Sequence, residues 1–129
     1  MTPELTVLAL AAIWQSVQML LAAAGMHRDM GFVWNFSPRD TEPAFSPRTG
    51  RLRRAVNNHF EALIFFTIAV VLVTLSGSAG PLTATCAWIY LAARILYLPA
   101  YAFGWSPWRS AIFAVGATAT AVMILAALF

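Results

Sequence analysis

The sequence predicts an all-α integral membrane protein, a bundle of four transmembrane helices running up-down-up-down. Three observations carry that reading. Hydrophobic side chains make up 60% of the 129 residues and charged ones only 10%, against roughly 25% charged in soluble domains. The mean hydropathy is +0.73. The thirteen charged residues, eight arginines and five acids, gather mostly between Arg28 and Glu61, leaving two long stretches almost without charge. This composition excludes a nucleic-acid-binding domain, a disordered tail and a secreted disulfide scaffold. The single cysteine, Cys86, has no internal partner for a bridge.

A hydrocarbon core of about 30 Å takes roughly 20 mostly apolar residues in a helix. Four stretches meet that need, at residues 5–24, 59–75, 82–101 and 108–129. They read as helices because lipid cannot satisfy an open backbone, and the alternation of a membrane barrel is absent. The first stretch ends in Ala22-Ala23-Ala24, a run of small residues like that at a signal-peptide cleavage site. It starts with Glu4 and no basic residue, however, and is longer than a signal's apolar core, so it is read as a retained span.

The connections orient the bundle. Residues 25–56 are read as a cytoplasmic loop holding Arg28, Arg39, Arg48, Arg51, Arg53 and Arg54. Pro38, Pro43 and Pro47 argue against a continuous helix there, and Trp34 and Phe36 suit the interface. The second connection, Ser76 to Pro81, carries no charge, and the third is short and lies beside Arg109. The positive-inside rule then places the first and third connections in the cytoplasm and both termini outside. The chain is one domain over residues 1–129.

Polar residues within the spans are the candidates for function, since ionisable groups there face protein or a watery cavity. Arg54, Asn58 and Glu61 follow one another at i, i+4 and i+7 and share a helix face. Arg94, Tyr97 and Tyr101 do the same on the third span, and Arg109 opens the fourth. Both sets fall toward the cytoplasmic ends of their helices. One reading is an interhelical network in which Arg54 or Arg94 neutralises Glu61. The other starts from the three-to-one excess of arginine over Glu61, which an anionic ligand would balance, arginine being suited to two-pronged grip of a carboxylate. Gln15 and Gln18, one turn apart, are expected to hydrogen-bond to a neighbouring helix. His27 and His59 are too few and too isolated for a metal or haem site, with His59 expected near the headgroups. Cys86 is expected to be inert packing, and Pro99 to bend the third helix.

Arg-x-x-x-Asn-x-x-Glu (Arg54 to Glu61) before the second span, Arg-x-x-Tyr-x-x-x-Tyr (Arg94 to Tyr101) closing the third and an arginine opening the fourth resemble the membrane-associated proteins in eicosanoid and glutathione metabolism, the MAPEG family. The likeness covers nearly the whole chain and is strongest to bacterial members, through the stretch Leu96 to Tyr101. The resemblance implies a homotrimer in a bacterial inner membrane, with glutathione bound between subunits near the cytoplasmic side. It implies that Arg54, Asn58, Glu61, Arg94, Tyr97 and Tyr101 bind glutathione, and that Arg109 stabilises its thiolate. The implied activity is a transferase or peroxidase acting on lipophilic electrophiles that arrive from the membrane lipids. The alternative is a non-catalytic relative that binds lipid or serves as a scaffold.

Overall fold

A computed structural model describes residues 1–129, with four helices and no strand. They are α1 (Pro3–Asn35), α2 (Pro47–Leu75), α3 (Pro81–Ala102) and α4 (Trp108–Leu128). Each is long and apolar enough to cross a membrane, as the four apolar stretches predict.

The helices begin where the sequence supplies a start signal. Pro3, Pro47 and Pro81 each occupy the first turn, where a missing N–H leaves nothing unsatisfied and the fixed φ suits the helix. The Thr2 hydroxyl accepts from the Leu5 N–H at 3.3 Å, and the Ser46 hydroxyl from the Thr49 N–H at 3.3 Å. These signals correct the reading of residues 25–56 as a loop. Pro47 starts α2 instead of interrupting a linker, and α1 continues to Asn35, so only residues 36–46 connect the two helices. The break in α1 falls at Gly31, whose φ of 81° departs from the helix, a conformation open to glycine because it lacks Cβ.

Side-chain pairings fix the helix directions. Glu4 accepts a hydrogen bond from the Thr83 hydroxyl, and the Trp14 indole N–H donates to the Arg94 carbonyl at 3.2 Å, so α1 and α3 run parallel. Gly25 meets Thr49 and Gln15 meets His59 at 2.5 Å, so α1 and α2 run antiparallel. A Cβ on Gly25 would lie 2.8 Å from the Thr49 hydroxyl oxygen, which is why these two helices can close at that level. Beyond the apolar stretch of α1, Asp29 accepts from the Ser46 N–H at 2.8 Å and ties the loop to the start of α2. The Thr49 hydroxyl, with that N–H, holds the Asp29 carboxyl below the usual carboxylate value.

The core occupies the half of the bundle that carries the termini. Phe66 of α2 stacks flat on Tyr90 of α3 with ring centroids 3.9 Å apart, among Val7, Val70, Val73, Leu91 and Met123. Of the 19 buried hydrophobic residues, nine are alanine. Small side chains let helices approach closely, which matters in lipid because apolar burial gives little drive for helix association. Ile13, Leu20, Phe65, Ile68, Leu72 and Leu96 point outward.

Candidate functional site

At the other end of the bundle, α2, α3 and α4 bring together all seven residues singled out in the sequence. A smaller apolar cluster of Ala55, Tyr97 and Leu98 supports them, backed by Trp14, Leu52, Tyr101 and Ile112. The chain of contacts starts at Asn58, whose side-chain oxygen accepts from Arg94 Nη2 at 3.0 Å. The Arg94 guanidinium lies 4.4 Å from the Tyr97 ring centroid, and Tyr97 meets Tyr101 edge-on at 5.7 Å. Arg54 Nε donates to the Tyr101 hydroxyl at 3.0 Å. Arg109 stands over the same ring, 5.0 Å from its centroid. Two tyrosine rings thus hold three arginines by hydrogen bonding and cation–π attraction.

Arg94 is 2% exposed, and its Nε has no hydrogen-bond partner. No carboxylate lies within ion-pairing distance of it, the one ion pair in the protein being Arg28–Asp29 at 3.7 Å. The pairing of Glu61 with Arg54 or Arg94 is therefore not formed. Asn58 and Tyr101 engage those arginines instead, and Glu61, a turn beyond Asn58, is exposed. Arg94 is level with Trp14 of α1, whose indole N–H donates to its carbonyl, and stands about two turns before α3 ends at Ala102.

Two open clefts meet at Asn58 and Phe113. One, of about 320 Å³, is polar and is lined by Asn58, Tyr97, Tyr101, Arg109 and Ser110 with Phe113. The other, of about 270 Å³, runs between α2 and α4. The exposed Glu61 and the buried Tyr90 and Arg94 are among its polar lining, and Phe65, Gly116 and Ala121 are among its apolar walls.

Behind the site a second polar layer joins α1 to α2. His59 is fully buried, and its Nδ1 pairs with Gln15 Oε1, while its Nε2 has no partner. This corrects the headgroup placement of His59. Asn58 faces Arg94, and the next residue along the helix turns toward α1. Gln15 meets the neighbouring helix as expected, whereas the amide nitrogen of the buried Gln18 donates to the Trp14 carbonyl of its own helix at 3.4 Å. Cys86 packs in the main core. No cluster of three potential metal ligands exists. Tyr90, whose buried hydroxyl has no partner, was missed in the sequence although it precedes Arg94 by one turn on the same face. The alanines and glycine of α4 were missed because small apolar residues in a span carry no distinguishing signal.

The model of the MAPEG family matches residues 5–129. No curated protein matches the chain.

Proposed function

Because the chain belongs to the MAPEG family, we propose that it is a membrane-bound transferase or peroxidase that uses glutathione against lipophilic electrophiles. The observation that carries this reading is the cationic cluster of Arg54, Arg94 and Arg109, which no carboxylate neutralises and in which a buried guanidinium nitrogen is left without a partner. Buried polar groups are nearly always bonded, and a peptide with carboxylates and amides matches the donors on offer. The exposed Glu61 would meet its amino group.

When bound, glutathione supplies the nucleophilic sulfur, for which the chain has no substitute because Cys86 lies in the core. The residues divide the remaining tasks. Asn58, shared by the two clefts, and the buried Arg94 hydrogen-bonded to it form a fixed polar wall where the clefts meet. Arg54, exposed and hinged on the Tyr101 hydroxyl, is placed to meet a carboxylate arriving from outside the bundle. Arg109 holds a positive charge in the polar cleft, and a nearby cation lowers a thiol from its ordinary pKa of about 8.5 toward ionisation at neutral pH. The apolar walls of the cleft between α2 and α4, Phe65, Gly116 and Ala121 among them, suit an apolar electrophile approaching Asn58 and Phe113. On this reading the protein assembles as a homotrimer, in which a neighbouring subunit covers that cleft, and its arginine-rich end faces the cytoplasm.

Calorimetric titration of glutathione into the purified protein in detergent tests the reading. Saturable binding is expected, lost in Arg54→Ala, whose exposed side chain can be removed without disturbing the core. Arg109→Ala should keep binding and lower turnover of a generic aryl halide. Absence of binding up to millimolar glutathione overturns the proposal.

A further inference from the structure

Helix α2 begins with an arrangement that its own electrostatics oppose. Arg48, Arg51, Arg53 and Arg54 crowd its first two turns, and no acidic residue lies in the first. A helix N-terminus carries roughly half a positive charge and repels cations placed there. One carboxylate, that of Asp29, stands at this end on the Ser46 N–H at 2.8 Å, and no acid forms an ion pair with any of the four arginines. Arg53 lies over Phe45, and Arg54 over Tyr101 in the cluster already described.

Arg48 and Arg51, one turn apart, lean instead on the turn between α3 and α4. The Arg48 guanidinium lies 5.5 Å from the Phe103 ring centroid. Arg51 Nη1 donates to the Ala102 carbonyl at 3.4 Å, and its other nitrogens have no protein partner there. Beside them Phe103 is 55% and Trp105 52% exposed. Four arginines against one carboxylate leave an excess of positive charge at this end, and beside the exposed rings it marks a place where an anionic group from outside the chain would complete the structure.

We propose that Arg48 and Arg51, flanked by Phe103 and Trp105, bind the phosphodiester headgroup of an anionic phospholipid at a site separate from the thiol cluster. Guanidinium groups match phosphate oxygens in two-pronged geometry. Aromatic side chains settle at headgroup depth, where the acyl region begins, and anionic lipid is drawn to basic clusters at a membrane's inner surface. A free phosphate would account for the arginines but would leave two large exposed rings without an occupant, which is why the lipid is the better fit.

The test is titration of dioctanoyl phosphatidylglycerol into the full chain in a neutral detergent, read by native mass spectrometry, with dioctanoyl phosphatidylcholine as reference. Phosphatidylglycerol should bind preferentially, and Arg48→Gln/Arg51→Gln should weaken it roughly thirtyfold, the loss of two basic contacts of about 1 kcal/mol each. Arg28→Gln/Arg39→Gln removes the same charge from the α1 side and should leave binding unchanged. Equal weakening in both double variants would reduce the site to diffuse attraction and overturn it. Inorganic phosphate displacing the lipid at millimolar concentration would assign the arginines to a soluble anion and overturn it as well. Should the Arg48/Arg51 variant not fold, Arg48→Gln alone, at an exposed position, should weaken binding about fivefold, and an unchanged affinity would refute the site.

Discussion

Arg94 is a charge in the membrane interior held by one hydrogen bond, and that bond can be removed without touching the arginine. Asn58→Leu keeps the branched shape of the side chain and deletes the oxygen that accepts from Nη2 at 3.0 Å. Two ranges bound the effect. Hydrogen bonds to charged groups contribute about 1.5–3 kcal/mol, while interhelical hydrogen bonds measured inside a membrane protein average about 0.6 and reach about 1.7 kcal/mol. The donor here is charged and 2% exposed, and its Nε is already unpartnered, so no spare partner takes over and the upper end of the membrane range applies. Asn58→Leu should therefore destabilise the protein by about 1.5 kcal/mol, read by equilibrium unfolding in sodium dodecyl sulfate followed by far-ultraviolet circular dichroism. Asn58→Asp retains an acceptor in the same place and should be at least as stable as the parent. Were Asn58→Leu as stable as the parent, Arg94 would be hydrated and not held by Asn58. Were Asn58→Asp as unstable as Asn58→Leu, shape and not the acceptor would matter.

Three further outcomes follow from the same contacts. Gln15→Leu strips buried His59 of its one partner and should lower stability by about 1 kcal/mol, within the range for interhelical bonds in membranes. Adding His59→Leu should then cost less than the two single changes summed, and strict additivity in that double-mutant cycle would deny the bond. Glu61→Gln should leave stability within about 0.5 kcal/mol of the parent because the carboxylate is exposed and unpaired, and a loss several times larger would show that an arginine does pair with it. Asp29 has its folded carboxyl held below the usual value by the Thr49 hydroxyl and the Ser46 N–H, so its contribution is complete above about pH 4 and fades as the pH falls through the lower folded value. An acid titration of stability should show that loss in the parent and less of it in Asp29→Asn, and identical acid profiles would exclude Asp29 from loop anchoring.

Four membrane-crossing helices were legible in the sequence because the requirement is local. About 20 apolar residues with their backbone bonds satisfied internally can do little else in lipid. The grouping of Arg54 with Asn58 and Glu61, and of Arg94 with Tyr97 and Tyr101, was legible for the same reason, since helical spacing alone sets which residues share a face. Pro47 was ambiguous, because the same residue breaks a helix interior and starts a helix, and its role rests on the Ser46 cap beside it. Which partner each polar group takes was beyond the sequence. Spacing offered Glu61 to either Arg54 or Arg94, but the packing of α2 on α3 brings Asn58 to the Arg94 guanidinium and turns Glu61 outward. Sequence position alone puts His59 near the headgroups, whereas the approach of α1 at Gly25 and Thr49 sets Gln15 against it. Periodicity determines the face of a helix, whereas depth and partner depend on the register between helices. That register is set by close-packed small residues spread over all four of them.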